Sequence, residues 1–364
     1  MSILNIMWAG GSAFASVQKV HQQILSRVED CASINTWLLQ GSAGIGDLGD
    51  QVVEWNLSSD QLKERRIWKL LAPWMRARFK KALPKDLEVV LLDGIGVARA
   101  LLPVLRTVPG VRAVVIFHGT TRLRGSDLKL FERFSDSELT LVAVSNTLAQ
   151  SLESDTHRPV AVLRSAYDPV AFRAASLPRE QARARLGVPM EASPVLGAVG
   201  RLVSGKGFAC LLEAFAAASV HRPDARLVIV GEGPERLALE AGIERLGLRG
   251  KVSLPGHLPE AATLYRAFDW VAIPSLDEGL GLILQEAVIS GVPVLTSELA
   301  VFREQLAEAG WYAPPDDAGA WSKLMERAFS ASAEVILDGQ SRALAPERAW
   351  TDFTETSRRL FSSR

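Results

Sequence analysis

The sequence predicts an α/β chain of two doubly wound domains, each a parallel sheet covered by helices, and three observations predict it. The 364 residues are enough for two domains of ordinary size. Short apolar runs alternate with helix-like segments along the whole chain, the rhythm of β-α-β units. The apolar runs are continuous rather than alternating, which suits strands buried on both faces.

In order, the first run is Ile3–Ala9, which ends at Gly10-Gly11. Further strand candidates in the first half are Glu88–Leu92, Ala113–Phe117 and Leu139–Val144. The second half contributes Val195–Val199, Arg226–Val230, Lys251–Leu254, Trp270–Pro274 and Pro293–Thr296, with crossover helices such as Leu211–Ser219 and Glu235–Leu246 between them. Pro169, Pro178, Pro189 and Pro194 punctuate the stretch from Ser165 to Pro194 and mark a boundary. The division expected is 1–170 for one domain, 171–342 for a second, and 343–364 for a terminal helix that starts after the break at Pro346.

Composition excludes several classes. With 48% apolar and 23% charged residues the chain is neither disordered nor fibrous. Basic and acidic residues number 41 each, which argues against a general nucleic-acid binder. The balance hides an asymmetry: residues 1–165 hold 20 basic and 16 acidic side chains, and 166–364 hold 21 and 25. Cys31 and Cys210 are the only cysteines, so a disulfide framework is not indicated and a reducing cytoplasm fits. Ala13-Phe14-Ala15 resembles a cleavage site, yet no basic segment precedes it and Asn5, Gly10 and Gly11 interrupt the apolar run. No stretch reaches about 18 uninterrupted apolar residues, the length of a membrane span.

The richest segment for chemistry is PSLDEGLGLILQEA, residues 274–287, where a strand should give way to a helix. Gly279 and Gly281 in that turn would let a ligand approach the backbone, and free N–H groups at the helix start attract an anion. Glu278 and Glu286 are eight residues apart, about two helical turns, which would set them on nearly the same face. A carboxylate accepts two hydroxyl hydrogen bonds, so the pair suits a sugar on one side and a ribose on the other. The plainer alternative is a helix cap and a solvated glutamate. The second segment, Gly200-Arg201-Leu-Val-Ser-Gly205-Lys206-Gly207, nearly spells a triphosphatase phosphate loop. Gly207 replaces the hydroxyl residue that would hold magnesium. Arg201 and Lys206 still suit a diphosphate without a metal, as a bidentate guanidinium and a point charge. No D-x-D pair and no clustered His/Cys motif is visible, so no metal or other cofactor is expected.

The second half resembles the nucleotide-binding domain of the family 4 glycosyltransferases, whose GT-B fold sets two Rossmann-like domains face to face across a cleft, with a terminal helix that returns to the first. The resemblance lies in VGRLVSGKGF, LVIVGEGPE, VSLPGHL, FDWVAIPSLDEGLGLILQEA and SGVPVLTSE, from about Val195 to Glu298, with the E-x7-E pair among them. It implies a retaining sugar transfer from a nucleotide-diphosphate sugar to an acceptor hydroxyl. It also implies that Glu286 binds the donor ribose, Glu278 contacts the transferred sugar, and Arg201 and Lys206 hold the diphosphate. Gly231 and Gly233 of the GEGP loop and His257 and Leu258 would lie near the base, with Gly279, Leu280, Gly281 and Leu282 completing the donor site. In the first half only landmarks match: Gly10 and Gly11 as a turn facing the phosphates, His118 at the catalytic centre, and Ser145, which reads equally well as a helix cap. The family's Asn-Gly pair before the domain crossover is replaced by Ser165-Ala166, with Asp168 and Phe172 retained.

Residues 61–83 form no family motif. Eight basic residues face one acid, Glu64, and Trp68, Trp74 and other apolar residues are interleaved. Such a segment suits an anionic membrane surface, with Pro73 dividing it into two short helices; equally, it suits an amphipathic cover for the first sheet. A third use is to grip a phosphorylated acceptor with Arg122 and Arg124. The partners expected are therefore a nucleotide sugar, a glycan or lipid-linked glycan acceptor of the bacterial envelope such as lipopolysaccharide, and an anionic membrane surface at the inner face of the cytoplasmic membrane, with no nucleic acid. Two other classes remain open at this point: a non-catalytic nucleotide-sugar binder or scaffold, and a nicotinamide-dependent oxidoreductase, which lacks G-x-G-x-x-G after the first strand.

Overall fold

A computed structural model describes residues 2–9, 15–28, 33–42, 49–62 and 68–361. The chain divides into two compact units, Met1–Ser165 with Asp352–Arg364, and Ala166–Thr351.

The first unit holds a seven-stranded sheet of β1 (Ser2–Ala9), β2 (Ser33–Gln40), β3 (Gln51–Glu54), β4 (Val89–Asp93), β5 (Arg112–Phe117), β6 (Leu139–Ala143) and β7 (Val160–Val162). The spatial order is β3-β2-β1-β4-β5-β6-β7, with every pairing parallel. The second unit repeats the plan with β8 (Val195–Val199), β9 (Arg226–Val230), β10 (Val252–Gly256), β11 (Trp270–Ile273), β12 (Val294–Ser297) and β13 (Tyr312–Ala313), ordered β10-β9-β8-β11-β12-β13. In both sheets the strand order reverses beside the first strand, between β1 and β4 and between β8 and β11. Open α/β sheets bind ligands outside the carboxyl ends of the strands at such a reversal.

Burial on both faces accounts for the continuous apolar runs. Leu196, Ala198, Leu227 and Ile229 pack on one side of the second sheet with Phe215, Trp321 and Met325. Their neighbours Val195, Val228 and Val230 pack on the other with Tyr265, Phe268, Leu284 and Phe302. Successive strand residues point to opposite faces, so two apolar layers demand an uninterrupted run.

The anticipated strands all form, with ends shifted by a residue or two. Four strands lacked a strong signal in the sequence: β2, β3, β7 and β13. β3 is a four-residue edge strand exposed throughout, and β7 and β13 are edges of three and two residues. An edge covered on fewer sides needs no long apolar run.

Pro73 does not divide its segment. A single helix runs from Trp68 to Ala82 with Pro73 as its sixth residue. Packing outweighs the missing N–H: Ala72, Met75 and Phe79 are buried, and Phe79 meets Trp55 at a ring separation of 4.6 Å. The amphipathic cover is therefore real. The other face is exposed, with Leu70 at 82% and Trp74 at 54%. The side chain of Trp68 and residues 63–67 lie outside the described part.

Candidate active site

The second unit assembles a charged site where β8 and β11 end. β8 runs into Gly200 and a loop that closes in a 3-10 turn, Ser204–Lys206. The loop is tied to the segment after β11, since the Leu276 N–H donates to the Gly205 carbonyl at 2.9 Å. Gly207 makes that approach possible: it has φ +68°, and a Cβ there would lie 2.1 Å from the Pro274 carbonyl oxygen. The two segments meet through their charges as well. The Lys206 ammonium donates to Glu278 Oε1, and Ser275 Oγ donates to the same oxygen at 2.8 Å. Both charged groups remain partly exposed, whereas Arg201 is exposed in the loop.

The two glutamates do not share one helix face. Gly281 is left-handed at φ +76°, and the helix begins only at Leu282, so Glu278 sits in the preceding turn and Glu286 is the fifth helical residue. The space a side chain would need at Gly281 is filled by Phe302, 2.4 Å from the position of a Cβ, so this glycine accommodates packing rather than a ligand. Gln305 secures the turn by donating to the Leu280 carbonyl at 2.6 Å.

Glu286 is buried, and each of its oxygens receives a tyrosine hydroxyl: Tyr167 at 2.5 Å and Tyr265 at 2.7 Å. Burial, and next the charge of Glu286, push both tyrosines well above their ordinary pKa, so both act as donors. Tyr167 follows the Ser165-Ala166 replacement, and its ring lies 4.9 Å from that of Phe172. Asp168 caps the helix Pro169–Ala175 by accepting from the N–H groups of Val170 and Ala171.

The other residues expected on the donor side are placed as follows. Gly231 and Gly233 brace the Gly200 loop: a Cβ at either would strike the carbonyl oxygens of Gly200 and Leu202. His257 is exposed after β10, and Leu258 packs against the core. Gly10 and Gly11 lie outside the described residues.

The first unit assembles a different site at its own strand reversal. His118, just beyond β5, has Nε2 3.1 Å from His21 Nε2 and 3.7 Å from Asp93 Oδ1 at the end of β4. His21 Nδ1 lies 2.7 Å from Asn5 Oδ1, and Asn5 Nδ2 donates to Thr36 Oγ1 at 3.1 Å. The Trp8 N–H donates to Asp93 Oδ2 at 3.0 Å. Burial depresses His118 to about 4 and His21 well below its ordinary value, and raises Asp93 to about 6. One polar atom from each of His21, Asp93 and His118 lies within 4.8 Å of the others. The sequence showed no histidine cluster because these residues are separated by 72 and 25 positions. Asn5, a polar residue inside an apolar strand, was the available signal.

Arg122 and Arg124 are exposed beyond His118 and line an open cavity with Arg99, Thr120 and Thr121. Ser145 is a helix cap, accepting from the Leu148 N–H at 3.2 Å. Among the described residues no helix is long and apolar enough to cross a membrane.

Two doubly wound parallel sheets, together with the solved structures that match over nearly the whole chain, give the fold class as GT-B. The structure of Anabaena Alr3699/HepE in complex with UDP and glucose matches with a TM-score of 0.76 at 18% identity, over 99% of each chain. WaaG, a glycosyltransferase involved in lipopolysaccharide biosynthesis, matches with a TM-score of 0.73 at 16% identity, over 100% of each chain. Within that fold, residues 179–334 match the family model of glycosyl transferases group 1. The 2-deoxystreptamine glucosyltransferase of Streptomyces kanamyceticus is 29% identical over 235 residues, which cover 60% of this chain and 60% of that protein.

Proposed function

We propose that the chain transfers a sugar from a nucleotide-diphosphate sugar to an acceptor hydroxyl, without a metal and with retention of anomeric configuration. The observation that carries this reading is the junction of the two loops, with Lys206 and Glu278 joined at the strand reversal. When the bond from the anomeric carbon to the diphosphate breaks, the electron pair goes to the departing phosphate oxygen. Lys206 and Arg201 would stabilise that charge, a task that preorganised cations perform well in a partly dry site. Glu278, held by Ser275, would accept hydroxyls of the transferred sugar once Lys206 turns to the diphosphate. Glu286, with two tyrosines fixing its carboxylate, retains lone pairs for the ribose. The acceptor hydroxyl would attack from the face the diphosphate leaves and pass its proton to that phosphate. His118 would line the acceptor side, with Arg122 and Arg124 further out.

The acceptor we favour is an envelope glycan, lipid-linked or part of lipopolysaccharide, reached at the inner face of the cytoplasmic membrane. Support comes from the helix Trp68–Ala82, which exposes Leu70, Leu71 and Trp74 beside Arg78, Lys80 and Lys81 and contains no acid. Apolar and basic residues on one exposed face suit an anionic bilayer. A soluble polyol acceptor is the second reading, favoured by the name of the Streptomyces kanamyceticus relative. Cosedimentation with anionic vesicles separates the two.

The donor is identified by thermal unfolding with UDP, GDP, ADP, dTDP, CMP and NAD, each with and without EDTA. A ligand at a hundred times its dissociation constant adds about 2.7 kcal/mol. Stabilisation by one nucleoside diphosphate, unchanged by EDTA, is expected; a shift with NAD alone overturns the reading. With that donor, Glu278→Gln should lose turnover, and an unchanged product yield removes Glu278 from the mechanism.

A further inference from the structure

Asn5, His21 and Thr36 are fully buried polar side chains in the interior of the first unit. Each costs about 1–3 kcal/mol if left unbonded, and they are bonded in a directed order. Asn5 Nδ2 donates to Thr36, which turns Asn5 Oδ1 toward His21. That oxygen only accepts, so His21 Nδ1 carries the proton. Full burial beside a second imidazole keeps His21 neutral, and a neutral imidazole has one proton, so its Nε2 is bare. At 3.1 Å from it, His118 Nε2 must donate, which leaves His118 Nδ1 without a proton.

The same atoms could be read as ligands of one divalent ion, which the chelator arm of the experiment below tests, while the direct nitrogen–nitrogen distance suits a hydrogen bond. The nitrogens are 3.1 Å apart and the ring centroids 5.2 Å, so the two rings meet through their Nε2 edges at the distance of an N–H···N bond. A shared ion at about 2.0–2.1 Å from each nitrogen would bend both rings toward a common apex.

We propose that His21, backed by Asn5 and Thr36, is a positioning residue that locks His118 in its Nε2–H tautomer, leaving His118 Nδ1 as an unprotonated hydrogen-bond acceptor for a hydroxyl of the sugar acceptor. The role in transfer rests on the reading above that His118 lines the acceptor side. The tautomer itself does not.

The chain has five histidines, so 15N-histidine labelling of the full-length protein gives a readable long-range nitrogen–proton spectrum. At pH 7 His21 should appear as Nδ1–H and His118 as Nε2–H, with no change on adding a chelator. His21→Leu should convert His118 to a tautomer mixture and lower kcat by about tenfold or more, with KM for the nucleotide sugar unchanged. His21→Gln should restore both, because its amide can donate to Asn5 and accept from His118. Finding His118 as Nδ1–H or protonated in the unsubstituted protein overturns the lock, whether or not His21→Leu folds. So does a spectrum that moves when a chelator is added, which identifies a metal. A normal kcat in folded His21→Leu overturns the positioning role. If no nucleotide sugar is turned over at all, the transferase reading fails, and the spectrum still decides the tautomer.

Discussion

The two units have the same strand order around their central reversal, yet the sites at those reversals are chemically opposite. In the second unit the side chains are charged and partly exposed, come from two loops of a few residues each, and pair across them as Lys206 with Glu278. In the first unit they are neutral or held near neutrality by burial, come from four separate elements, and form a hydrogen-bonded file from Thr36 to His118. Topology thus fixes where a site lies, while side chains and their depth fix what it can do. Exposed cations can meet a diphosphate without full desolvation, whereas buried imidazoles stay uncharged and can only exchange hydrogen bonds.

Substitutions should bring out this contrast, the largest effect falling in the charged site. Lys206→Met removes the cation nearest Glu278 and should lower the rate of product formation about 10²–10³-fold, as for loss of one charge-stabilising donor. A loss confined to KM would instead make Lys206 a uniform binder of donor. Next is the buried carboxylate: Tyr265→Phe leaves Glu286 with one donor fewer and should cost about 1.5–3 kcal/mol, read as a lower denaturation midpoint at constant slope. Tyr167→Phe should cost less, because its bond is only partly buried.

The first unit should reveal itself through pH. As pH falls below about 6.5, the unfolded chain takes up protons that folded His21 and His118 refuse, so these two make stability rise with pH from about 4 to 6.5. Asp93 opposes them: folded, it keeps its proton up to about 6, while unfolded it loses it near 3.8. Two histidines against one carboxyl leave a net slope of about 1.4 kcal/mol per pH unit between 4 and 6. Asp93→Asn should remove the opposing proton and roughly double that slope; a flat profile in both proteins would show the file to be hydrated and charged. The smallest effect is expected on the exposed helix face, where Trp74→Ala should change stability by less than about 0.5 kcal/mol. The same substitution should weaken vesicle binding, and unchanged cosedimentation would remove that face from any membrane contact.

Much of this was legible in the sequence, and the residues show why. Central strands such as Val195–Val199 and Arg226–Val230 announced themselves because two covered faces require apolar residues without interruption. Lys206 and Glu278 were legible because each belongs to a short loop whose glycines and charges are adjacent in the chain. Edge strands β3 and β13 were not, since little is buried there to leave a pattern. The Pro73 break failed because burial of Ala72, Met75 and Phe79 outweighs one missing hydrogen bond.

The sequence alone therefore determined the class of fold, the position of the two charged loops after β8 and β11 and the charge each carries, because these depend on local periodicity and on residues a few positions apart. Only the tertiary structure decided that Glu286 is gripped by Tyr167 and Tyr265, that Gly281 yields its space to Phe302, and that His21 reaches His118 across 97 residues. The physical reason is that hydrogen bonding and burial act over a few ångströms of space. Parallel crossovers bring distant segments to one end of the sheet, and no spacing in the chain records which side chains will meet there.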